Sequence, residues 1–359
     1  MFLEEYKGKK VFITGNTGFK GSWLNYYLHI LGADTLGYSL SMQTTPNLYS
    51  IINNENTNTI IGDIRDEQKL TKAILDYKPD IVFHLAAQPL VRDSYIKPKE
   101  TYETNVIGTL NLYEAVRKCD SVKAIVTITT DKCYENKEWV YGYRENDPMG
   151  GFDPYSSSKG CCELLSSSYK RSFFEKKGKL LATARAGNVI GGGDFAKDRL
   201  IPDFVKAVSK NETVIIRSPK ATRPWQHVLE PLTGYLMLGA KLLKGNKDMA
   251  SAWNFGPYDV LDVQSVLDEA IKVWGKGDYE IAEDAELHEA HSLKLDISKA
   301  KAILKWEPKY DVYTAIKKTI KWYRNFYDGN TDMKLYTEKQ IKDYIKMFNN
   351  EKVGSTYGK

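Results

Sequence analysis

Between Val11 and Leu31 the chain reads as a short, largely β-branched apolar run, a turn carrying Gly15, Gly18 and Gly21, and a restart in which Trp23, Leu24, Tyr27, Leu28 and Leu31 recur at helical spacing. Val11 to Thr14 is too short for a helix of its own, so the segment predicts strand, turn and helix. Glycine tolerates backbone angles and close approaches that a Cβ forbids. The first turn of a helix offers unpaired N–H groups and the positive end of its dipole to an anion. Such a turn suits a pyrophosphate, and its position after the first strand favours that reading over a plain tight connection.

Strand-like runs recur at 35–38, 59–61, 81–85, 124–129 and 181–184, with helical patterns between them. This alternation predicts an α/β chain with a doubly wound parallel sheet covered by helices on both faces. Two long helices are expected, over 97–118 and 156–178. After Gly187 the alternation gives way to glycine- and proline-marked segments, short helices and isolated strands such as "TVIIR", which suggests a second, smaller lobe of mixed α/β structure. The last residues, "NNEKVGSTYGK", are expected to be disordered, with a flexible tail over 351–359.

Composition narrows the function classes. The 359 residues suffice for one large unit or two joined ones. The 51 basic residues are interleaved with 46 acidic ones, so the net charge of +5 argues against a nucleic-acid surface. No apolar run is long enough to insert in a membrane, and "MFLEEYKGKK" is charged rather than signal-like, so a soluble, cytoplasmic protein is expected. Cys119, Cys133, Cys161 and Cys162 show no metal spacing; reduced packing residues and no metal site are expected.

Tyr155 and Lys159 stand four apart at the start of the second long helix, which places phenol and ammonium on one face. A lysine charge near a phenol favours the phenolate, as a general base requires. In a chain with 24 tyrosines such a pair is often only a surface contact. Here it follows Thr129, Thr130 and Asp131, which emerge where a strand ends, and ligands of open α/β sheets bind at those ends.

The stretches "GNTGFKGSWL", "HLAAQPLVRDSY", "ETNVIGTLNLYEA", "TTDKCYEN" and "PYSSSKGCCEL" resemble the extended short-chain dehydrogenase/reductases, the NAD-dependent epimerase/dehydratase superfamily. The combination of "TTDK", "GNVIGGGDF" and "RPWQHVLEPL" resembles its CDP-sugar 4,6-dehydratase branch, and the similarity runs over residues 5–325. The resemblance implies a Rossmann-type NAD-binding domain over 1–187, with segments near 225–254 returning to it. A nucleotide-sugar lobe would occupy mainly 188–350.

The implied chemistry maps onto this chain. Tyr155 would take the proton of the sugar C4 hydroxyl, Lys159 would hold the nicotinamide ribose and tune Tyr155, and Thr130 would orient the hydroxyl. Asp131 would protonate the group leaving C6. Related dTDP-glucose enzymes place a glutamate, the C5 base, where this chain has Lys132, which would either take the C5 proton or stabilise the enolate. NAD would lie along Gly15, Thr17, Gly18, Phe19 and Gly21, with Asp63 and Ile64 at the adenine, and Leu85, Ala86, Ala87, Gln88 and Asn105 further along.

The second strand has neither the acid that usually binds an adenosine ribose nor an arginine for a 2′-phosphate, and the resemblance favours NAD. Asn188, Arg199, Leu200, Ile201, Arg223 and Asn254 would bind a CDP-glucose-type substrate. No role passes to His288, Glu289 or His291. A homodimer is implied. A nucleotide-sugar 4-epimerase and a non-catalytic NAD-sensing protein are the competing readings.

Overall fold

Side chains alternate across a strand, and in this chain both alternating sets are apolar. Val11, Ile13, Ile81, Phe83, Ala124 and Val126 pack into one core, while Phe12, Val82 and Ile125 pack into a second core on the opposite face. A sheet with two apolar faces must be covered twice, and helices do so here. The computed structural model describes residues 2–52, 58–282 and 292–354.

The main elements follow in chain order: β1 (Lys10–Thr14), α1 (Phe19–Ile30), β2 (Asp34–Ser39), β3 (Asn58–Ile61), α2 (Glu67–Tyr77), β4 (Ile81–His84), α3 (Gly108–Lys118), β5 (Ala124–Ile128), α4 (Pro154–Tyr169) and β6 (Leu180–Ala186). They continue with α5 (Leu200–Ser209), β7 (Val214–Ile216), α6 (Leu229–Leu243), β8 (Ala252–Phe255), α7 (Val263–Trp274), β9 (Tyr279–Ile281), α8 (Val312–Asp328) and α9 (Met333–Gly354). Seven strands form one parallel sheet in the order β8-β6-β5-β4-β1-β2-β3. Strand order reverses beside β1, so the crevice above the C-terminal ends of β1 and β4 is the topological switch point.

The two long helices expected from the sequence are each interrupted by a π-type turn. One runs as Pro98–Tyr102, the turn Glu103–Ile107, then α3. The other is α4 followed by the turn Lys170–Phe174. α4 begins two residues earlier than expected because Asp153 caps it, its carboxylate accepting from the Ser156 N–H, with Pro154 in the first turn.

Beyond Gly187 the small pairings are β7 with β9, Val189–Ile190 with Gln226–His227, and Thr222–Arg223 with Leu261–Asp262. The expected tail is corrected in part: α9 continues to Gly354, and the last five residues lie outside the described ones. Among the described residues no helix is long and apolar enough to cross a membrane.

Candidate active site

β5 ends at Ile128, and Thr129 to Asp131 leave the sheet into a short 3-10 turn, Asp131–Cys133, packed against α4. This puts Thr130, Asp131 and Lys132 beside Tyr155 in one cleft of about 750 Å³. Thr130 Oγ1 hydrogen-bonds the Tyr155 phenol and donates to Asp131 Oδ1 at 3.0 Å. Asp131 is 1% exposed, and its other oxygen, Oδ2, has no hydrogen-bond partner. An unpaired buried carboxylate oxygen is costly to hold. Its position depends on residue 187 being glycine: a Cβ there would lie 1.8 Å from Oδ2.

Burial pushes the Tyr155 phenol up to about 12, against the lowering by Thr130 and Arg199. The expected lowering by Lys159 is therefore corrected: desolvation wins. Lys159 is 6% exposed, its Nζ donates to Ile128 O at 3.3 Å, and burial lowers its pKa. One turn further along α4, Glu163 accepts from Thr129 Oγ1, Thr183 Oγ1 and the Arg185 guanidinium. Arg185 also donates to Tyr134 Oη and to the Glu145 carbonyl. This buried network ties α4 to β5, β6 and the turn that carries Asp131.

The glycine turn has the form expected of an anion site. α1 starts at N-cap Gly18 with no side-chain cap, so its first N–H groups are left for a ligand. Gly15 has φ of +75°, and its missing Cβ would sit 2.7 Å from Ala86 N; a Cβ on Gly21 would strike Gly15 O at 2.0 Å. The turn thus packs against the end of β4, where Thr14 Oγ1 accepts from the Leu85 and Ala86 N–H groups. Thr17 Oγ1 hydrogen-bonds Ser39 Oγ at the end of β2. This cradle fits a dinucleotide, with hydroxyls rather than a carboxylate where β2 ends.

Residues 12–319 match the GDP-mannose 4,6 dehydratase family. The chain belongs to that family. A CDP-glucose 4,6-dehydratase of Salmonella typhimurium is 49% identical over 95% of this chain and 97% of that protein. The dTDP-D-glucose 4,6-dehydratase of Homo sapiens is 28% identical, covering 89% and 91% of the two chains. The structure of the dTDP-glucose 4,6-dehydratase DesIV from Streptomyces venezuelae superposes with a TM-score of 0.77 at 22% identity, over 88% and 97% of the chains. That likeness is one of fold.

Within this dehydratase, the cleft collects Phe19, Asn188, Arg199, Leu200, Ile201 and Arg223 with the Tyr155 group. Asn188 has a left-handed backbone, φ +42°. Arg199 pairs with buried Asp194 at 2.6 Å and acts electrostatically on Tyr155. Asn254 is corrected: it is buried in β8 rather than in the cleft. Its amide accepts from Tyr134 Oη and donates to the carbonyls of Tyr143 and Asp296.

Asn105 is likewise saturated within the protein, by the Gln88 backbone and Ser158 Oγ, so it shapes the Ala87–Gln88 loop rather than offering a free group. Ile64 is a core residue, 4% exposed, and Asp63 is held by Arg65 through paired hydrogen bonds. His288, Glu289 and His291 lie outside the described residues.

Lys20 is the cleft residue that sequence reasoning missed. It sits in the first turn of α1, and burial with the cations Arg199 and Lys159 lowers its pKa to about 8. Its signal was a lone lysine between the apolar Phe19 and Gly21 of the turn.

Proposed function

We propose that this family member catalyses NAD-dependent 4,6-dehydration of CDP-glucose to CDP-4-dehydro-6-deoxyglucose. The unpartnered Oδ2 of Asp131, beside the Thr130–Tyr155 pair, carries the reading: a 4-epimerase has no leaving group at C6 and no use for that acid. The 49% identity to a CDP-glucose 4,6-dehydratase supports the substrate.

When bound, NAD supplies the two-electron acceptor and donor for oxidation at C4 and reduction at C6. The uncapped start of α1, Thr17, Ala86 and Lys159 are the residues to hold it. Tyr155 accepts the C4 hydroxyl proton through the geometry that Thr130 sets, and the Arg199 guanidinium favours the phenolate as the proton moves. A ketone at C4 acidifies the C5 hydrogen. Lys132, on the same turn as Asp131, takes that proton or stabilises the enolate. Asp131 protonates the hydroxide departing from C6, and the small Gly187 leaves its carboxyl room to do so. Arg199 and Arg223 hold the diphosphate by charge and fork geometry.

We assign the catalytic and cofactor-binding residues to the sheet domain and the nucleotide to the lobe beyond Gly187. The enzyme works as a cytoplasmic homodimer. The exposed Tyr102, Ile107, Leu164 and Phe173 on the two long helical segments support that interface. Incubation with CDP-glucose and NAD is expected to give a 4-keto sugar, read by its ultraviolet absorbance in alkali. No product from CDP-glucose would overturn the assignment.

A further inference from the structure

A nucleotide sugar is a linear ligand: hexose, diphosphate, ribose, base. With the hexose at Tyr155 and the diphosphate at Arg199 and Arg223, the base falls further along the cleft, which α5 and β7, packed against each other, both line. Two of the charged side chains that line the cleft, Asp203 and Arg217, come from this part of the chain. Asp203 follows Arg199 by one helical turn, its N–H donating to the Arg199 carbonyl at 2.9 Å. Arg217 follows β7 directly and is exposed. Asp198, Lys206 and Arg217 act electrostatically on Asp203.

Cytosine differs from uracil and thymine along one edge. It offers an exocyclic amine donor and a ring-nitrogen acceptor where the other two offer a carbonyl acceptor and a ring N–H donor. A carboxylate beside a guanidinium complements the cytosine edge and opposes the other two. We propose that Asp203 and Arg217 read the base, the carboxylate accepting from the cytosine amine and the guanidinium donating to the ring nitrogen. The inference rests on the CDP-sugar reading above and names the residues that set it. Asp203 is half-buried, and burial together with Asp198 raises its pKa; a donor supplied by the ligand favours its charged form. A uracil carbonyl in the same place leaves the carboxylate without that donor, and a site built to hydrogen-bond one edge rejects the reversed one strongly.

The test is calorimetric binding of CDP and UDP to the wild-type enzyme, Asp203→Asn and Arg217→Gln, beside wild-type turnover of CDP-glucose. The wild type is expected to prefer CDP. Asp203→Asn, whose amide can donate to a carbonyl, is expected to shrink the CDP/UDP affinity ratio by about tenfold or more. Arg217→Gln, at an exposed position that does not threaten the fold, should shrink it in the same direction. Wild-type ratios in both variants, with CDP-glucose still turned over by the wild type, would overturn the base-reading assignment and leave the dehydratase reading standing. No turnover of CDP-glucose and no preference for CDP in the wild type would overturn both. If Asp203→Asn does not fold, the ratio measured with Arg217→Gln decides.

Discussion

Glu163 and Asp131 are both buried carboxylates of the catalytic neighbourhood, and they are satisfied in opposite ways. Glu163 takes hydrogen bonds on both oxygens, from Thr129 at 2.5 Å, Thr183 at 2.7 Å and Arg185 at 2.8 and 2.9 Å. Those partners outweigh the desolvation that would raise its pKa, and the group is held below the usual glutamate range. Asp131 has one oxygen bonded to its neighbour Thr130 and the other bonded to nothing. A saturated buried acid holds the floor of the site together. A half-satisfied one at the cleft wall leaves its remaining oxygen for the substrate.

The largest effect that distinguishes the two is on stability. Glu163→Ala strands Arg185 in the core, and breaking a buried pair from one side costs about 3–5 kcal/mol. Denaturant unfolding should register that loss. The pH sign follows from the lowered pKa: the Glu163 contribution is complete above about pH 4.5 and is lost as pH falls through the folded-state value. Glu163→Gln should therefore flatten the acid limb of the stability curve. An unchanged limb would separate Glu163 from acid unfolding.

Asp131→Asn should do the reverse. It removes no satisfied partner at Oδ2, so unfolding should shift by less than about 1 kcal/mol, while loss of water slows by about a hundredfold because an amide cannot supply the proton. A 4-ketoglucose intermediate should accumulate. An enzyme that eliminates at the normal rate would remove Asp131 from the chemistry.

Gly187→Ala is the smaller and sharper probe. Its Cβ would fall 1.8 Å from Asp131 Oδ2, so the carboxyl must move. Misplacing the acid should cost about tenfold in turnover, with a similar loss for elimination measured alone. Equal activity would mean that the carboxyl position does not matter.

The same contrast explains what the sequence made legible. The glycine turn could be read because glycine is needed there for geometric reasons, φ at Gly15 and contact distance at Gly21. Strand alternation announced a sheet covered on both faces. Tyr155 and Lys159 were legible because their helical spacing coincides with the strand end at Thr129 to Asp131. Glu163 was missed, although it lies four residues beyond Lys159 on the same helix. So was its partner Arg185, a lone cation in the apolar strand "LLATARA" that must be paired once buried.

Asn254 and Asn105 show a different limit. An asparagine can serve a ligand or the backbone equally well, and only the tertiary fold shows that every group on these two is taken. Lys20 had only a faint local signal, because its environment comes from Arg199, Lys159, Asp131 and Asp194, all distant in sequence.

The central claim is that Asp131 turns an oxidation at C4 into a dehydration across C5 and C6, and one labelling measurement addresses it directly. CDP-glucose carrying deuterium at C4 is converted by the wild-type enzyme, and the product is analysed by NMR and mass spectrometry. A 4,6-dehydratase should deliver the label to C6, with a solvent-derived hydrogen at C5. Label returned to C4 of an otherwise intact hexose would make the protein an epimerase and contradict the account.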